Sequence, residues 1–299
     1  MKIGVICFLG MLNFVTMAQM PFIQGHRGFR GLYPENTLPA FEHALEAGVQ
    51  VLEMDVCISA DGKVVVSHEP YMNSLYSSKP DGKPVEKEEE KIFNLYQMTY
   101  REIKKFDTGK RGNASFPEQI KMEAHKPLLS EVLSLGEAFR KKHQRIIYYN
   151  IEIKSVEAEY GISQPKTVEE FSEMVWKVIK KHVKPEFIIL QSFDFQVLKY
   201  WNKAMNDGKI APKVMLSALV SRKSPENTIK DLGFTPAIYS PNYQAVTQDF
   251  VEFSHKSGMK VVPWTANEAN IISLLSDMGV DAVITDYPNR VPHYLKSVH

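Results

Sequence analysis

The stretch Phe22-Ile23-Gln24-Gly25-His26-Arg27-Gly28, with Pro34-Glu35-Asn36-Thr37 shortly after it, decides the architecture. An apolar strand runs out at a histidine and an arginine flanked by glycines, and a helical pattern over 37–47 starts just beyond. The unit is strand, polar turn, helix, and it recurs outward along the whole chain. Strand patterns fall at 22–26, 51–58, 146–153, 187–191, 214–220, 237–240, 260–264 and 282–285. Helical patterns fall between them at 37–47, 128–142, 168–182, 195–205, 248–256 and 268–278. Eight strands alternating with helices predict an α/β fold, a (β/α)8 TIM barrel.

Residues 64–67 make a further strand pattern. Asp61-Gly62 is a strong turn signal, so 64–67 reads as the return arm of a hairpin. A parallel crossover needs about a dozen residues or more, and the two arms are nearly adjacent in sequence. From 70 to 127 the chain departs from the repeat. It is polar, rich in Pro, Gly, Lys and Glu, and contains Glu86-Lys87-Glu88-Glu89-Glu90-Lys91. This segment reads as an insertion after the second strand, its charge run as a solvated face or mobile loop, with a short helical patch at 99–106.

Lys2, an apolar run over 3–17 and the small residues around Ala18 read as a signal peptide at 1–18, which predicts a secreted or periplasmic protein. An uncleaved anchor is the alternative; a stable membrane anchor is not expected. A single domain would then occupy 19–299. Of two cysteines, Cys7 goes with the signal and Cys57 stays, so no internal disulfide is expected. Lys and Arg number 36 against 35 Asp and Glu, with no basic stripe, which argues against nucleic acid as a partner.

The chemistry sits at the strand ends. Glu53 and Asp55, two apart, leave one face of a strand while Met54 leaves the other. Glu152 adds a third carboxylate, and such a set either pairs with Lys or Arg or holds a hard cation. Lys154 shares a face with Glu152, as an ion pair or as a phosphate partner. Arg27 can grip two phosphate oxygens at once. His26 and His68 carry protons near neutral pH. Glu35, Gln191 and Trp264 are candidates for the pocket, Asn36 or Thr37 caps the first helix, and Asp286 stands where it can orient another rim residue.

Gly-His-Arg-Gly, Pro-Glu-Asn-Thr, Leu-Glu-Met-Asp-Val, Val-Val-Val-Ser-His, Ile-Glu-Ile-Lys, Gln-Ser-Phe-Asp, Pro-Trp-Thr-Ala-Asn and Ile-Thr-Asp-Tyr-Pro run in order from Gly25 to Pro288. In this the chain resembles the glycerophosphodiester phosphodiesterase family. Glu69 departs from the aspartate usual there but keeps the charge. The resemblance implies divalent metal, Ca²⁺ or Mg²⁺, on Glu53, Asp55 and Glu152, acid–base catalysis by His26 and His68, and hydrolysis of a small glycerophosphodiester to glycerol phosphate and an alcohol in lipid metabolism. It also implies a cap-like insertion at 70–127, whose aromatic residues Tyr71, Tyr76, Phe93, Tyr96 and Tyr100 leave a lysophospholipid or sphingolipid substrate open. A non-catalytic phosphoester-binding protein is the other alternative.

Overall fold

The structure, a computed structural model, describes residues 22–291. The expected signal peptide at 1–18, Cys7 with it, lies outside the described residues. Parallel strands β1 (Phe22–Gly25) and β2 (Val51–Ile58) are followed by the short strand β3 (Val64–Val66). Six more follow: β4 (Tyr148–Ile153), β5 (Ile188–Ser192), β6 (Met215–Val220), β7 (Ile238–Pro241), β8 (Lys260–Val261) and β9 (Ala282–Thr285). Their order around the sheet is β8-β7-β6-β5-β4-β2-β1-β9. Backbone bonds from Asp281 N–H to Val261 O (2.9 Å) and from Ile284 N–H to Pro263 O (3.0 Å) tie the two ends together. The result is a nearly closed barrel of eight parallel strands with helices between them, the expected TIM barrel. The regular part of β8 is shorter than its apolar pattern because Pro263 has no N–H to donate.

β3 pairs antiparallel with β2, Val66 opposite Val56, as the hairpin reading requires. Helices α1 (Leu38–Glu46), α3 (Leu129–His143), α4 (Val168–His182), α5 (Phe195–Asn206), α7 (Gln248–Lys256) and α8 (Ala269–Asp277) match the helical patterns. Helix α6 (Pro225–Leu232) was not legible as a pattern: it is mostly polar, and only its ends are marked, by Ser224 as cap and Gly233 in the left-handed region.

The β2 strand shows how the fold sorts side chains. Leu52, Met54 and Val56 point outward into the main core against the helices, and Val51, Glu53 and Asp55 point into the barrel. Inside, an apolar floor of Val51, Ile189, Ile238, Val262 and Ala282 is fully or nearly buried. Above it lie Gln24, Asn150 and Gln191, joined by hydrogen bonds from Asn150 Nδ2 to Gln24 Oε1 (2.8 Å) and Gln191 Oε1 (3.0 Å). The register then sets Asp55 beside Glu152 at the C-terminal rim.

The 70–127 segment is more ordered than its composition suggests. Met72, Val85, Leu95, Ile103 and Phe106 form a small core of their own with Cys57 and Val65 of the hairpin. The free thiol of Cys57 is pushed up to about 12 by burial, in keeping with a packing role. The charge run is in large part a solvated face, with Glu86, Lys87, Glu88 and Lys91 exposed; Lys87–Glu89 forms a 3-10 turn, and Glu90 is buried, accepting from Ser74 N–H (2.9 Å) and Ser74 Oγ (2.6 Å). The helical patch contracts to α2 (Tyr100–Ile103).

Candidate active site

The Gly-His-Arg-Gly turn is built by its glycines. A Cβ on Gly25 would stand 2.3 Å from Gly28 O, and one on Gly28, at φ +85°, 2.7 Å from the Ala40 backbone. Gly28→Ala is therefore expected to cost roughly 2 kcal/mol or more, read as a lower urea midpoint. Arg27 itself sits at φ +50°, uncommon for a residue with a side chain. It is held there by its N–H on Glu53 Oε2 (2.8 Å) and by Nη1 on Glu35 Oε1 (2.6 Å). Its Nε lies 3.4 Å from Asp55 Oδ2, a charge contact without hydrogen-bond alignment.

These groups open into a cavity of about 230 Å³ at the C-terminal rim. Its polar wall is His26, Arg27, Arg30, Glu53, His68, Glu152, Lys154 and Gln191; its apolar wall is Phe193, Leu219, Trp264 and Ile284. All the proposed catalytic, phosphate-binding and metal residues thus meet there, except that Asp55 lies just behind the lining, buried. Gln191 donates from Nε2 to Glu53 Oε1 (2.8 Å). Trp264 donates from Nε1 to Ser240 O (3.0 Å) and meets Phe193 edge to face. Glu35 is not part of the lining; it is buried behind the two arginines and accepts from both, Arg30 Nε at 2.8 Å.

Carboxylate oxygens of Glu53, Asp55 and Glu152 come within 4.8 Å of one another. Burial, then the charge of Asp55, drives the Glu53 carboxyl well above its ordinary range. Burial also raises Glu152, against the pull of Lys154 at 2.8 Å. For Asp55 burial acts upward too, but His68, Arg27 and Lys154 together outweigh it and hold the carboxyl well below the carboxylate range. Asn36 does not cap α1, which Thr37 does. Instead Asn36, at φ +55°, donates from Nδ2 to Asp55 Oδ2 (2.9 Å). An all-oxygen set of this kind, with Glu53 and Glu152 both raised above the ordinary carboxylate range, fits a hard divalent cation.

Each histidine has its own carboxylate. His26 Nδ1 lies 2.6 Å from Asp286 Oδ1, and His68 Nδ1 lies 2.8 Å from Glu69 Oε1. Asp286 is brought down to about 2, because His26 and Arg30 outweigh its burial. Glu69 is held below the carboxylate range by His68 and Lys126, also against burial. Both acids are therefore ionised and accept from Nδ1–H, which leaves each Nε2 as the atom that exchanges a proton. His26 titrates below its ordinary value, since burial outweighs the opposing charge of Asp286. Asp286→Asn removes that opposing charge, so the His26 midpoint is expected to fall further, by about one pH unit or more, measured by NMR titration.

Two residues here, Arg30 and Lys126, carried no sequence signal, and Tyr76 stands elsewhere than its reading as a substrate-side aromatic residue. Arg30 lines the cavity. Tyr76 is buried and donates from its hydroxyl to Glu69 Oε2 (2.8 Å), so this aromatic residue braces His68 and does not line the pocket. Lys126 is buried and donates to Ser67 Oγ (2.7 Å), which donates to Glu69 O (2.6 Å).

The model of the glycerophosphoryl diester phosphodiesterase family matches residues 26–290. The chain belongs to this family. A glycerophosphodiester phosphodiesterase of Bacillus altitudinis is 30% identical over 276 residues, 91% of this chain and 96% of that protein. A solved structure from Silicibacter pomeroyi DSS-3, described as a candidate glycerophosphoryl diester phosphodiesterase, is 28% identical. It has a TM-score of 0.79 and covers 92% of this chain and 93% of its own. A phosphodiesterase of Oleispira antarctica, solved with the product sn-glycerol-3-phosphate, shares the fold at TM-score 0.70 and 23% identity, covering 93% of this chain and 98% of its own. As a member of this glycerophosphoryl diester phosphodiesterase family the chain is an enzyme, a phosphoric diester hydrolase. Among the described residues no helix is long and apolar enough to cross a membrane.

Proposed function

We propose that the enzyme hydrolyses glycerophosphodiesters to glycerol phosphate and an alcohol, with Ca²⁺ or Mg²⁺ on Glu53, Asp55 and Glu152 and with His26 and His68 as the proton carriers. The observation that carries this reading is the meeting, in one cavity, of two carboxylate-oriented histidines with a crowded acidic triad. When bound, the cation supplies charge to polarise the phosphate and to ease ionisation of a hydroxyl.

The chain's own residues do the rest. Arg27 and Lys154 flank Asp55 at its two oxygens, 3.4 and 4.0 Å away. Arg27 keeps Nη2, and Lys154 its remaining protons, for the non-bridging phosphate oxygens. One histidine takes the proton of the attacking hydroxyl at Nε2, whether from water or from a neighbouring glycerol hydroxyl. The other gives its Nε2 proton to the departing alkoxide, so that the P–O bond breaks without releasing an alkoxide into solution. Asp286 and Glu69 hold the rings in the right tautomer for both transfers.

Assay of a panel of glycerophosphodiesters for release of glycerol phosphate tests this. Tight binding without any turnover would instead mark a phosphoester-binding protein. Export through the N-terminal segment belongs to the same proposal, and cell fractionation checks it.

A further inference from the structure

Arg30 has no part in the chemistry above, yet its side chain is fixed at two points in the cavity wall. Its Nε donates to Glu35 Oε2 (2.8 Å), and its guanidinium carbon lies 4.4 Å from the centre of the Phe116 ring. Two anchors of this kind lock the plane of the guanidinium. Glu35 and Asp286 are the carboxylates that face it. Glu35 is shared with Arg27, and Asp286, 3.9 Å from Arg30 Nη1, is taken by His26 and Asn267. Neither Nη of Arg30 makes a hydrogen bond among the described residues, so the outer edge of the fork remains open at the cavity.

A second cavity, about 350 Å³, is lined by Phe116. Leu75, Arg111, Asn113, Phe116, Gln119 and Lys121 are among its lining residues, and it has no acidic one. Arg111 spends Nη1 on the Ser74 and Ser77 carbonyls, and neither Arg111 nor Lys121 forms an ion pair among the described residues. Gln119 Nε2 fastens this segment to the Arg30 and Tyr33 carbonyls, at 2.9 and 2.8 Å. Phe116, which carries Arg30 against its ring, thus ties the catalytic cavity to a cationic space with no carboxylate in its lining.

We infer that Arg30 recognises a second anionic group, on the alcohol half of the substrate, with Lys121 and Arg111 supplying attraction beyond it. The inference rests on the diester-hydrolase reading and narrows its substrate class to glycerophosphodiesters whose alcohol bears a carboxylate or phosphate. A fork with one edge anchored and the other open is suited to either group.

Two matched pairs separate these sources. Glycerophosphoserine differs from glycerophosphoethanolamine by a carboxylate, and glycerophosphoinositol 4-phosphate differs from glycerophosphoinositol by a phosphate. The wild-type kcat/KM ratio is expected to favour the anionic member of at least one pair. Arg30→Gln should lower that ratio at least ~10-fold, as befits loss of a charge-assisted contact, with Arg30→Lys intermediate. Lys121→Gln, at an exposed position, should lower it by a smaller factor and serves if Arg30→Gln fails to fold. A wild-type ratio at or below one for both pairs would overturn the inference, as would a ratio that Arg30→Gln or, in its place, Lys121→Gln leaves unchanged. The same four diesters are measured by binding calorimetry. If the wild type turns over none of them, the hydrolase reading fails on its own, and the binding ratio alone judges Arg30.

Discussion

Excess chelator is expected to reduce turnover to background, and added Ca²⁺ or Mg²⁺ to restore it. Glu53, Asp55 and Glu152 are buried together with their oxygens within 4.8 Å. Three anions at that spacing repel one another unless a cation or a proton intervenes. Glu53 and Glu152 are pushed upward, by burial first and also by the charge of Asp55, so the repulsion persists beside the protein's own cations. Glu53→Gln should lower activity by ~100-fold or more and weaken metal binding measured by calorimetry. There is a pH signature as well. A metal on Glu53 must displace a proton whose affinity burial has raised, so the apparent metal affinity should weaken as pH falls through that raised range. Full activity of a protein shown metal-free by elemental analysis would end the metal assignment.

His26→Ala and His68→Ala are each expected to lower kcat by at least ~100-fold, the usual contribution of an acid–base group. Both variants should fold. Asp286, left without His26, keeps Asn267 Nδ2 at 2.8 Å and Arg30 nearby, and Glu69, left without His68, keeps the Tyr76 hydroxyl at 2.8 Å. Circular dichroism and a urea midpoint check this separately from activity. An activated aryl diester divides the two roles, since its leaving group needs no proton. The variant that recovers turnover on it has lost the general acid, and the one that does not has lost the base. Near wild-type kcat on a natural diester in either variant would require that histidine to be reassigned.

The aromatic residues of the 70–127 segment that left a lysophospholipid or sphingolipid substrate open stand in a different arrangement. Among the described residues, none from that segment lines the catalytic cavity. Tyr76 and Lys126 instead brace the Ser67-His68-Glu69 turn, and Phe116 holds Arg30. Removing the whole segment would also strip the small core from Cys57 and Val65, so point substitutions are the cleaner probe of its role.

What the sequence by itself determined is what local periodicity encodes. Alternating strand and helix patterns set the barrel, Asp61-Gly62 set the hairpin, and period two placed Glu53 and Asp55 on one face with Met54 on the other. Periodicity says which way a side chain leaves its strand but not what it meets there. Only closure of the barrel sets β9 against β1 and so brings Asp286 to His26 across 260 residues. The folding of one loop hides Glu35 behind two arginines five and eight residues before it, and the pairing of β1 with β2 turns Asn36 from a candidate cap into a donor to Asp55. Arg30 was silent in the sequence for the same reason. An arginine in a glycine-rich turn has no pattern of its own, and what fixes its side chain is a carboxylate five residues on and the Phe116 ring that the fold delivers from the 70–127 segment.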